Sequence, residues 1–286
     1  MEKLTKNDIS VIENQMFNKA RDIDVCVFNY VLGGFPQDLV LDALSMYQNR
    51  DGGFGHALDP NNLNPNSTVY ETLVALGYLY IADFKNYKDN EVHEQMLNKV
   101  FNYLYNKKPD WSLYDETNLK FAASVQFQEE NNLIFPKNMI VAYTLYYLDE
   151  KKPYYKKALA MLNDLEKHLL SSNSLTNDEI LGYKFLYEVL NNKNISYNDE
   201  ALAYLDKFTK LELNDINAYY IALFNKDNDE ALDMIIKLRK NHGLWETPYE
   251  WGNNYPEAES AKLKMLGATT LKYIHILKKY NRIMEI

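Results

Sequence analysis

The chain has 286 residues, and 40 acidic against 31 basic side chains give it a formal net charge of −9. Because nucleic-acid phosphates and anionic membranes bind clustered Lys and Arg, this balance argues against both as partners. Hydrophobic residues make up 47% of the chain, which excludes a disordered protein. The 24 tyrosines are twice as many as the 12 phenylalanines. A tyrosine has an apolar ring and a polar tip, so this excess fits a lined cavity as well as a core.

The first eight residues are polar, and no apolar run reaches the roughly 18 residues that span a membrane. We therefore expect a cytoplasmic protein without a transmembrane segment. Cys26 is the single cysteine and cannot form an internal disulfide or a cysteine cluster, and the five histidines are dispersed. The sequence thus predicts neither a metal nor a cofactor, and it specifies no oligomeric state.

Apolar residues recur at three- and four-residue steps along most of the chain, which predicts helices. The first such stripe begins at Ile9 and continues to Val27, and the pair Gly33-Gly34 ends it. Pro36 opens the next helix, as proline does at a first helical turn. The predicted helices cover 8–31, 36–48, 67–83, 91–107, 117–129, 137–149, 153–170, 176–192, 198–211, 214–224, 227–241 and 256–280.

Capping signals and linker lengths extend this prediction to the whole fold. Thr68-x-x-Glu71 and Thr176-x-x-Glu179 match the capping box, in which a hydroxyl and a carboxylate bind free backbone N–H groups at a helix start. No period-two strand appears, so the predicted fold class is all-α. Most linkers are short, which makes successive helices antiparallel neighbours, and no Pro- or Gly-rich linker divides the chain into two domains. We therefore expect a single domain over 1–286.

A dozen antiparallel helices can form an open solenoid or close into a double ring. A solenoid usually shows a repeat near 34 or 40 residues, and this sequence has none. A double ring of six inner and six outer helices would enclose a central cavity. In that case tyrosine and tryptophan should be more frequent on the inner wall than on the outer face.

A long glycine-rich segment, 48–66, separates two predicted helices and brings Asp51, His56 and Asp59 within nine positions. Long ordered loops often carry function, so these three are the candidate catalytic residues, as acid, base or ligand-positioning groups. The two aspartates also have a structural interpretation, whereas His56, flanked by Gly and Ala in an acid-rich loop, is less easily explained in that way. Asp51 and Asp59 could simply start turns, and Phe54, a candidate binding residue, could pin one helix to the next.

A second long segment, 242–255, contains two of the three tryptophans and two glutamates. Its aromatic rings could line a pocket or only pack between helices, and its carboxylates could supply polar contacts. The candidate binding residues in this segment are Trp245, Glu246, Glu250, Trp251 and Tyr255.

The first of these segments carries a family resemblance. Gln48-x-x-Asp51-Gly52-Gly53-Phe54 resembles the Q-x-x-D-G-G-F/W repeat of the terpenoid cyclase and protein prenyltransferase superfamily, and Asn241-His-Gly-Leu-Trp245 resembles a degraded second copy. Together with 245–252 and 255–259, the first segment also resembles a group of bacterial toroid-like proteins. The resemblance implies an (α/α)6 toroid of about twelve helices with an aromatic-lined pocket for an apolar, isoprenoid-like molecule.

The known activities of that superfamily are not implied. The sequence contains no D-x-D-D acid of the kind that protonates an alkene in cyclases, and Cys26 has no D-x-C partner for a prenyltransferase zinc site. The thioester motif G-C-G-E-Q of other toroids is also absent. Whether the protein is an enzyme therefore stays open at the level of sequence.

Three functions compete. The first is a pocket for an apolar small molecule, and the second is a carbohydrate-processing α/α-barrel enzyme that would need two carboxylates roughly 5 to 10 Å apart. The acids available for such a pair are Asp51, Asp59, Glu246 and Glu250. The third is a non-catalytic binding scaffold.

Whether the two long loops share one site depends on the helix count. Strict alternation puts 49–66 between the second and third predicted helices and 242–255 between the eleventh and twelfth. These connections would lie at opposite ends of a ring. An error of one helix between them would bring the loops to the same end.

Overall fold

The computed structural model describes residues 1–87, 91–129, 133–225, 227–247, 250–252 and 254–284. Over these ranges the chain is helical, and extended backbone pairs only in isolated bridges. The all-α class is confirmed. The α-helices are α1 Lys6–Lys19, α2 Asp22–Leu32, α3 Gln37–Ser45, α4 Val69–Ile81, α5 Glu91–Asn102, α6 Phe135–Tyr147, α7 Pro153–Ser171, α8 Asn177–Asn192, α9 Asp199–Leu205, α10 Ala218–Phe224, α11 Asp229–Lys237 and α12 Glu257–Lys279.

Two predicted helices differ from the structure. The prediction of one helix over 8–31 is wrong, because Ala20 and Arg21 are extended and separate α1 from α2. The prediction of a helix over 117–129 is also wrong, because the segment has only two short 3₁₀ turns, Glu116–Lys120 and Val125–Phe127. Its backbone pairs outside itself instead: the N–H of Ser124 donates to the carbonyl of Asn61 at 2.9 Å.

Only one of the two predicted capping boxes is complete. At the start of α8, Thr176 and Glu179 exchange both hydrogen bonds. At the start of α4, the Thr68 hydroxyl accepts the N–H of Glu71, but the Glu71 carboxylate accepts the N–H of Asp59 at 2.7 Å. The Thr68-x-x-Glu71 prediction is therefore half right, because a loop N–H has replaced the cap as the carboxylate's partner.

The even-numbered helices contact one another in a closed series: α2 with α4, then α6, α8, α10 and α12, which contacts α2 again. Among the odd-numbered helices, α1 packs against α2 and α12, α3 against α2 and α4, α7 against α6, α9 against α8, and α11 against α10. A double ring requires this order of contacts from its inner and outer helices. The toroid itself stays a prediction.

Tyrosines concentrate on the even-numbered helices. Within the described helices, α7 and α9 are the odd-numbered ones with tyrosine, at Tyr154, Tyr155 and Tyr204. The even-numbered helices carry Tyr30, Tyr70, Tyr78, Tyr80, Tyr143, Tyr146, Tyr147, Tyr183, Tyr187, Tyr219, Tyr220 and Tyr273, half of the 24 in the chain. The tryptophans do not follow this pattern, because all three lie in connecting segments.

The first and last described segments are joined. Leu4 pairs with Ile283 in a β-bridge, and the fully buried Arg282 side chain makes ion pairs with Asp229 and Asp233. Among the described helices, none combines the length and the apolar character that crossing a membrane requires.

Candidate functional site

An apolar cavity of about 190 Å³, which we call the central cavity, lies between α4, α6, α12 and the connection from α3 to α4. Its wall is mostly apolar. One face of α4 lines the cavity along the whole helix, and the rings of Tyr70, Tyr78 and Tyr143 form part of the wall. Asp59 and Lys272 are its charged lining residues within the described part of the chain. The lining consists of Leu58, Asp59, Pro60, Tyr70, Leu73, Val74, Gly77, Tyr78, Ile81, Phe135, Met139, Tyr143, Met265, Ala268, Leu271 and Lys272.

Arg21 fixes the loop that covers this cavity. Its guanidinium binds both carboxylate oxygens of Asp24, at 2.8 and 2.9 Å, and donates to the carbonyl oxygens of Ala57 and Leu58, at 3.1 and 2.5 Å. The Tyr78 hydroxyl donates to Asp24 at 2.6 Å, and burial and then the Asp24 charge raise the pKa of that hydroxyl. Arg21, at the break between α1 and α2, thus connects the loop to Asp24 on α2 and to Tyr78 on α4 through hydrogen bonds.

Glu71 lies fully buried behind Asp59. One of its carboxylate oxygens accepts the Asp59 N–H, and the other, Oε1, has no hydrogen-bond partner. Burial raises the pKa of Glu71 well above its ordinary value and the Asp59 charge raises it further, although the N–H of Asp59 and the charge of Arg21 oppose the shift. The site therefore favours a neutral, protonated Glu71 beside a cavity-lining carboxylate.

The two long loops meet. The indole Nε1 of Trp251 donates to Asn61 Oδ1 at 3.0 Å, and the N–H of Val125 donates to the Trp251 carbonyl at 2.9 Å. Because 117–129 is not a helix, eight helices rather than nine separate the loops. Strict alternation then puts both loops at the same end of the fold.

A second, polar depression of about 360 Å³ lies beside the central cavity. Asn61 belongs to its wall, and the Asn61 amide contacts the sulfur of the cavity-lining Met265 at 3.4 Å. Two carboxylates and one amine take part in the lining, which consists of Asn61, Thr247, Glu250, Trp251, Gly252, Asn254, Ala258, Glu259 and Lys262.

The three candidate catalytic residues of the first loop lie at different sites. Asp59 lines the central cavity. Asp51 lies in an outer groove, where its carboxylate accepts the Gly53 N–H at 3.1 Å and the Ser67 hydroxyl at 2.6 Å. His56 is exposed, with its Nε2 2.9 Å from Asn49 Oδ1. Asp51 and His56 therefore do not line the central cavity.

The candidate binding residues of the second loop also lie at different sites. Glu250 and Trp251 line the polar depression, and the Tyr255 ring lies 6.3 Å from that of Trp251. Glu246 faces a different depression and lies 3.9 Å from the amine of Lys240. The four acids available for a carbohydrate-processing pair thus line four different depressions.

Phe54 and Trp245 are fully buried and make matching contacts. The N–H of Phe54 donates to the Thr72 hydroxyl on α4 at 3.1 Å, and the N–H of Trp245 donates to the Thr270 hydroxyl on α12 at 3.2 Å. Both rings pack into the core instead of lining the central cavity or the polar depression. Each one attaches a loop to the even-numbered helix that follows it.

The turns that lead into these rings have the same hydrogen bonds. Gly52 donates to the carbonyl of Asn49 at 3.0 Å, and Asn49 donates to the residue after Gly52 at 2.9 Å. In the second loop, Gly243 donates to Lys240 at 2.8 Å, and Lys240 donates to the residue after Gly243 at 3.0 Å. Both glycines have positive φ, 100° and 96°. The two segments that resemble sequence repeats are therefore structural repeats.

A buried asparagine network joins the first loop to the segment 117–129, and sequence motifs did not indicate it. Asn62, Asn64 and Asn118 are fully buried. The Asn64 and Asn62 amides donate to Asn118 Oδ1 at 2.7 and 3.2 Å, and the Asn118 amide donates to the carbonyl of Phe127 at 2.9 Å. The run of asparagines after Asp59 could have predicted this network, because several buried amide side chains close together in sequence need hydrogen-bond partners.

Comparison with known proteins does not assign a family. No protein-family model matches the chain, and none of the curated proteins is significantly similar to it. The cavity and its surroundings are therefore the features of this chain that bear on its function.

Proposed function

We propose that this chain is an (α/α)6 toroid that binds a small apolar, isoprenoid-like molecule in its central cavity. The observation that supports the proposal is the tyrosine-lined apolar cavity between α4, α6 and α12. Ligand sites are typically concave and apolar, with few polar groups that fix orientation. Asp59 and Lys272 have that character here.

The charges around the cavity favour a neutral ligand over a diphosphate. Asp59 lines the cavity itself, and Glu250 and Glu259 line the neighbouring depression, against Lys262 and Lys272 as the amines. Phosphate groups require clustered cations or helix N–H groups, and the helix start that lines the depression, the first turn of α12, itself carries Glu257 and Glu259, whose like charge repels phosphate. We therefore expect an alcohol or a hydrocarbon, whose hydroxyl, where present, binds Asp59.

The cavity volume limits the ligand's size. An apolar cavity of about 150 Å³ accommodates benzene. The central cavity, at about 190 Å³, is slightly larger. A short branched alcohol such as prenol fills such a space, and longer isoprenoid chains would have to extend through its mouth.

Two matched substitutions on α12 test the proposal. Ala268 lines the central cavity, and Ala258 lines the polar depression. We expect A268F to weaken prenol binding at least tenfold in isothermal titration calorimetry because the ring fills the cavity, and A258F to bind like the wild type.

Prenyl diphosphate should bind more weakly than prenol to the wild type. Equal affinity of A268F and wild type for prenol, with both proteins folded by circular dichroism, would show that the central cavity is not the binding site. Loss of binding in A258F alone would move the site to the polar depression.

A further inference from the structure

A separate cavity of about 440 Å³ lies at the C-terminal ends of the even-numbered helices, away from the two loops. Ile81 contributes to this cavity as well as to the central one. The helices α4, α6, α8 and α12 and the turn after α4 form its walls. Its aromatic and charged lining residues include Tyr80, Asp83, Lys85, Tyr146, Phe185 and Glu188.

Three aromatic rings form one wall. The ring centroid of Tyr80 lies 5.2 Å from that of Tyr146 and 5.0 Å from that of Phe185, and Tyr146 and Phe185 are 6.3 Å apart. Their planes are inclined at 65°, 76° and 47° to one another. Rings at these distances and angles pack against one another, and the face of an aromatic ring that stays open, as that of Tyr146 does, attracts a cation.

Two carboxylates, Asp83 and Glu188, and two amines, Lys85 and Lys279, line the cavity, and both carboxylates lie near the Tyr146 ring. Four α-helices end here, and each C-terminus carries a partial negative charge from its free carbonyls. Asp83 and Glu188 lie close enough that, after burial, their charges raise the pKa of Tyr146, to about 12. His275 adds no opposing charge near neutral pH, because burial and then the charges of Lys279 and Lys278 lower its pKa to about 4.

A side chain of the protein already places a cation on this wall. Lys85, in the single-turn helix Phe84–Asn86, puts its Nζ 4.7 Å from the centroid of Tyr146. The Lys85 side chain is exposed and long, so it can move into solvent at little cost. Lys279, the other amine in the lining, lies 6.0 Å from the centroid of Tyr280.

We propose that this cavity binds a compact organic cation, a quaternary ammonium or a substituted amine, over the Tyr146 ring in the position that Lys85 Nζ occupies. The apolar substituents would pack against Tyr80 and Phe185. Asp83 and Glu188 would balance the charge. This site is independent of the apolar ligand proposed for the central cavity.

Choline and its neutral carbon analogue 3,3-dimethylbutan-1-ol provide the direct test, because they share a shape and differ in charge. In isothermal titration calorimetry we expect choline to bind at least tenfold more tightly than the neutral analogue. Y146L should weaken choline binding about tenfold. K85M should strengthen it about threefold, because the competing amine is gone.

The control substitutions are Y154L and K157M, since Lys157 Nζ lies 5.6 Å from the Tyr154 centroid at another surface site. Both should leave choline binding unchanged. Equal binding of choline and its neutral analogue would overturn the proposal. Unchanged choline binding in both K85M and Y146L would also overturn the proposal. K85M is a surface substitution, so it still tests the proposal if Y146L does not fold.

Discussion

Glu71 is a carboxyl group with no exposed surface, and one of its oxygens has no hydrogen-bond partner. A buried ionised carboxylate is costly, so the site favours the protonated form, as the raised pKa indicates. Protonated Glu71 then stabilises the fold most at low pH. That contribution is complete below the ordinary pKa of 4.5 and is lost as pH rises through the raised pKa of the folded state.

The substitution E71Q removes this dependence while preserving the shape of the neutral acid. Relative to E71Q, wild-type protein should lose about 1.4 kcal/mol of unfolding free energy per pH unit between the unfolded and folded pKa values. We therefore expect similar stability of the two proteins near pH 5 and greater stability of E71Q at pH 8, measured by urea unfolding.

E259Q, at the exposed first turn of α12, controls for the loss of one carboxylate from the surface. A constant difference between E71Q and wild type across this pH range would mean that Glu71 is ionised in the folded protein.

Sequence reasoning identified Asp59 as a candidate but interpreted Glu71 as a capping residue. The S/T-x-x-E pattern is local, and its hydroxyl half is present at Thr68. The competing N–H donor belongs to a loop residue twelve positions earlier, and no local pattern shows that this loop folds back onto α4. Arg21 was missed for the same reason, since its partners Ala57 and Leu58 are distant in sequence.

At the scale of elements, the two glycine turns are repeated units that attach a loop to the next even-numbered helix. Gly52 and Gly243 both need positive φ, and their surroundings differ. A Cβ at Gly52 would overlap the backbone carbonyl of Lys99, whereas one at Gly243 would meet the Val11 side chain at 2.8 Å. At Gly33, which caps α2 with a φ of 89°, a Cβ would meet open space.

This difference predicts an order of stability losses for glycine-to-alanine substitutions. G33A has backbone strain alone and should cost about 1 kcal/mol. G243A should cost about 2 kcal/mol, because Val11 must also move. G52A should cost about 3 kcal/mol or more, because a backbone carbonyl cannot move aside cheaply.

The unfolding free energies of the three variants in urea measure this order. Equal losses at all three positions would mean that backbone strain alone decides the outcome. A loss in G52A smaller than in G33A would contradict the contacts of the first turn.

Hydrophobic periodicity predicted most helices, because each buries one face along its length. Periodicity gave the wrong structure where contacts with residues distant in sequence determine the backbone conformation. Residues 117–129 have apolar spacing, but Asp115 accepts the N–H of Thr117 and Ser124 bonds to the first loop. The break at Ala20 and Arg21 had no glycine or proline to mark it.

At the scale of the whole molecule, the closed series of contacts among even-numbered helices explains why the two loops come together. Each even-numbered helix follows an odd-numbered one, so the loops before α4 and α12 lie at one end and the cavity lined by Tyr80, Tyr146 and Phe185 lies at the other. The sequence predicted about twelve helices, and the tyrosines of the described helices concentrate on the even-numbered ones. Closure was expected only from the absence of a solenoid repeat and from the family resemblance, because no local pattern shows that α12 contacts α2.

The central claim is that an apolar cavity able to take a ligand lies between α4, α6 and α12. Xenon binds such cavities and avoids polar ones. A crystal pressurised with xenon should show a xenon atom among Leu73, Tyr143 and Met265, and A268F crystals should lack it. Xenon absent from this position in the wild type, or present there in A268F, would contradict the account.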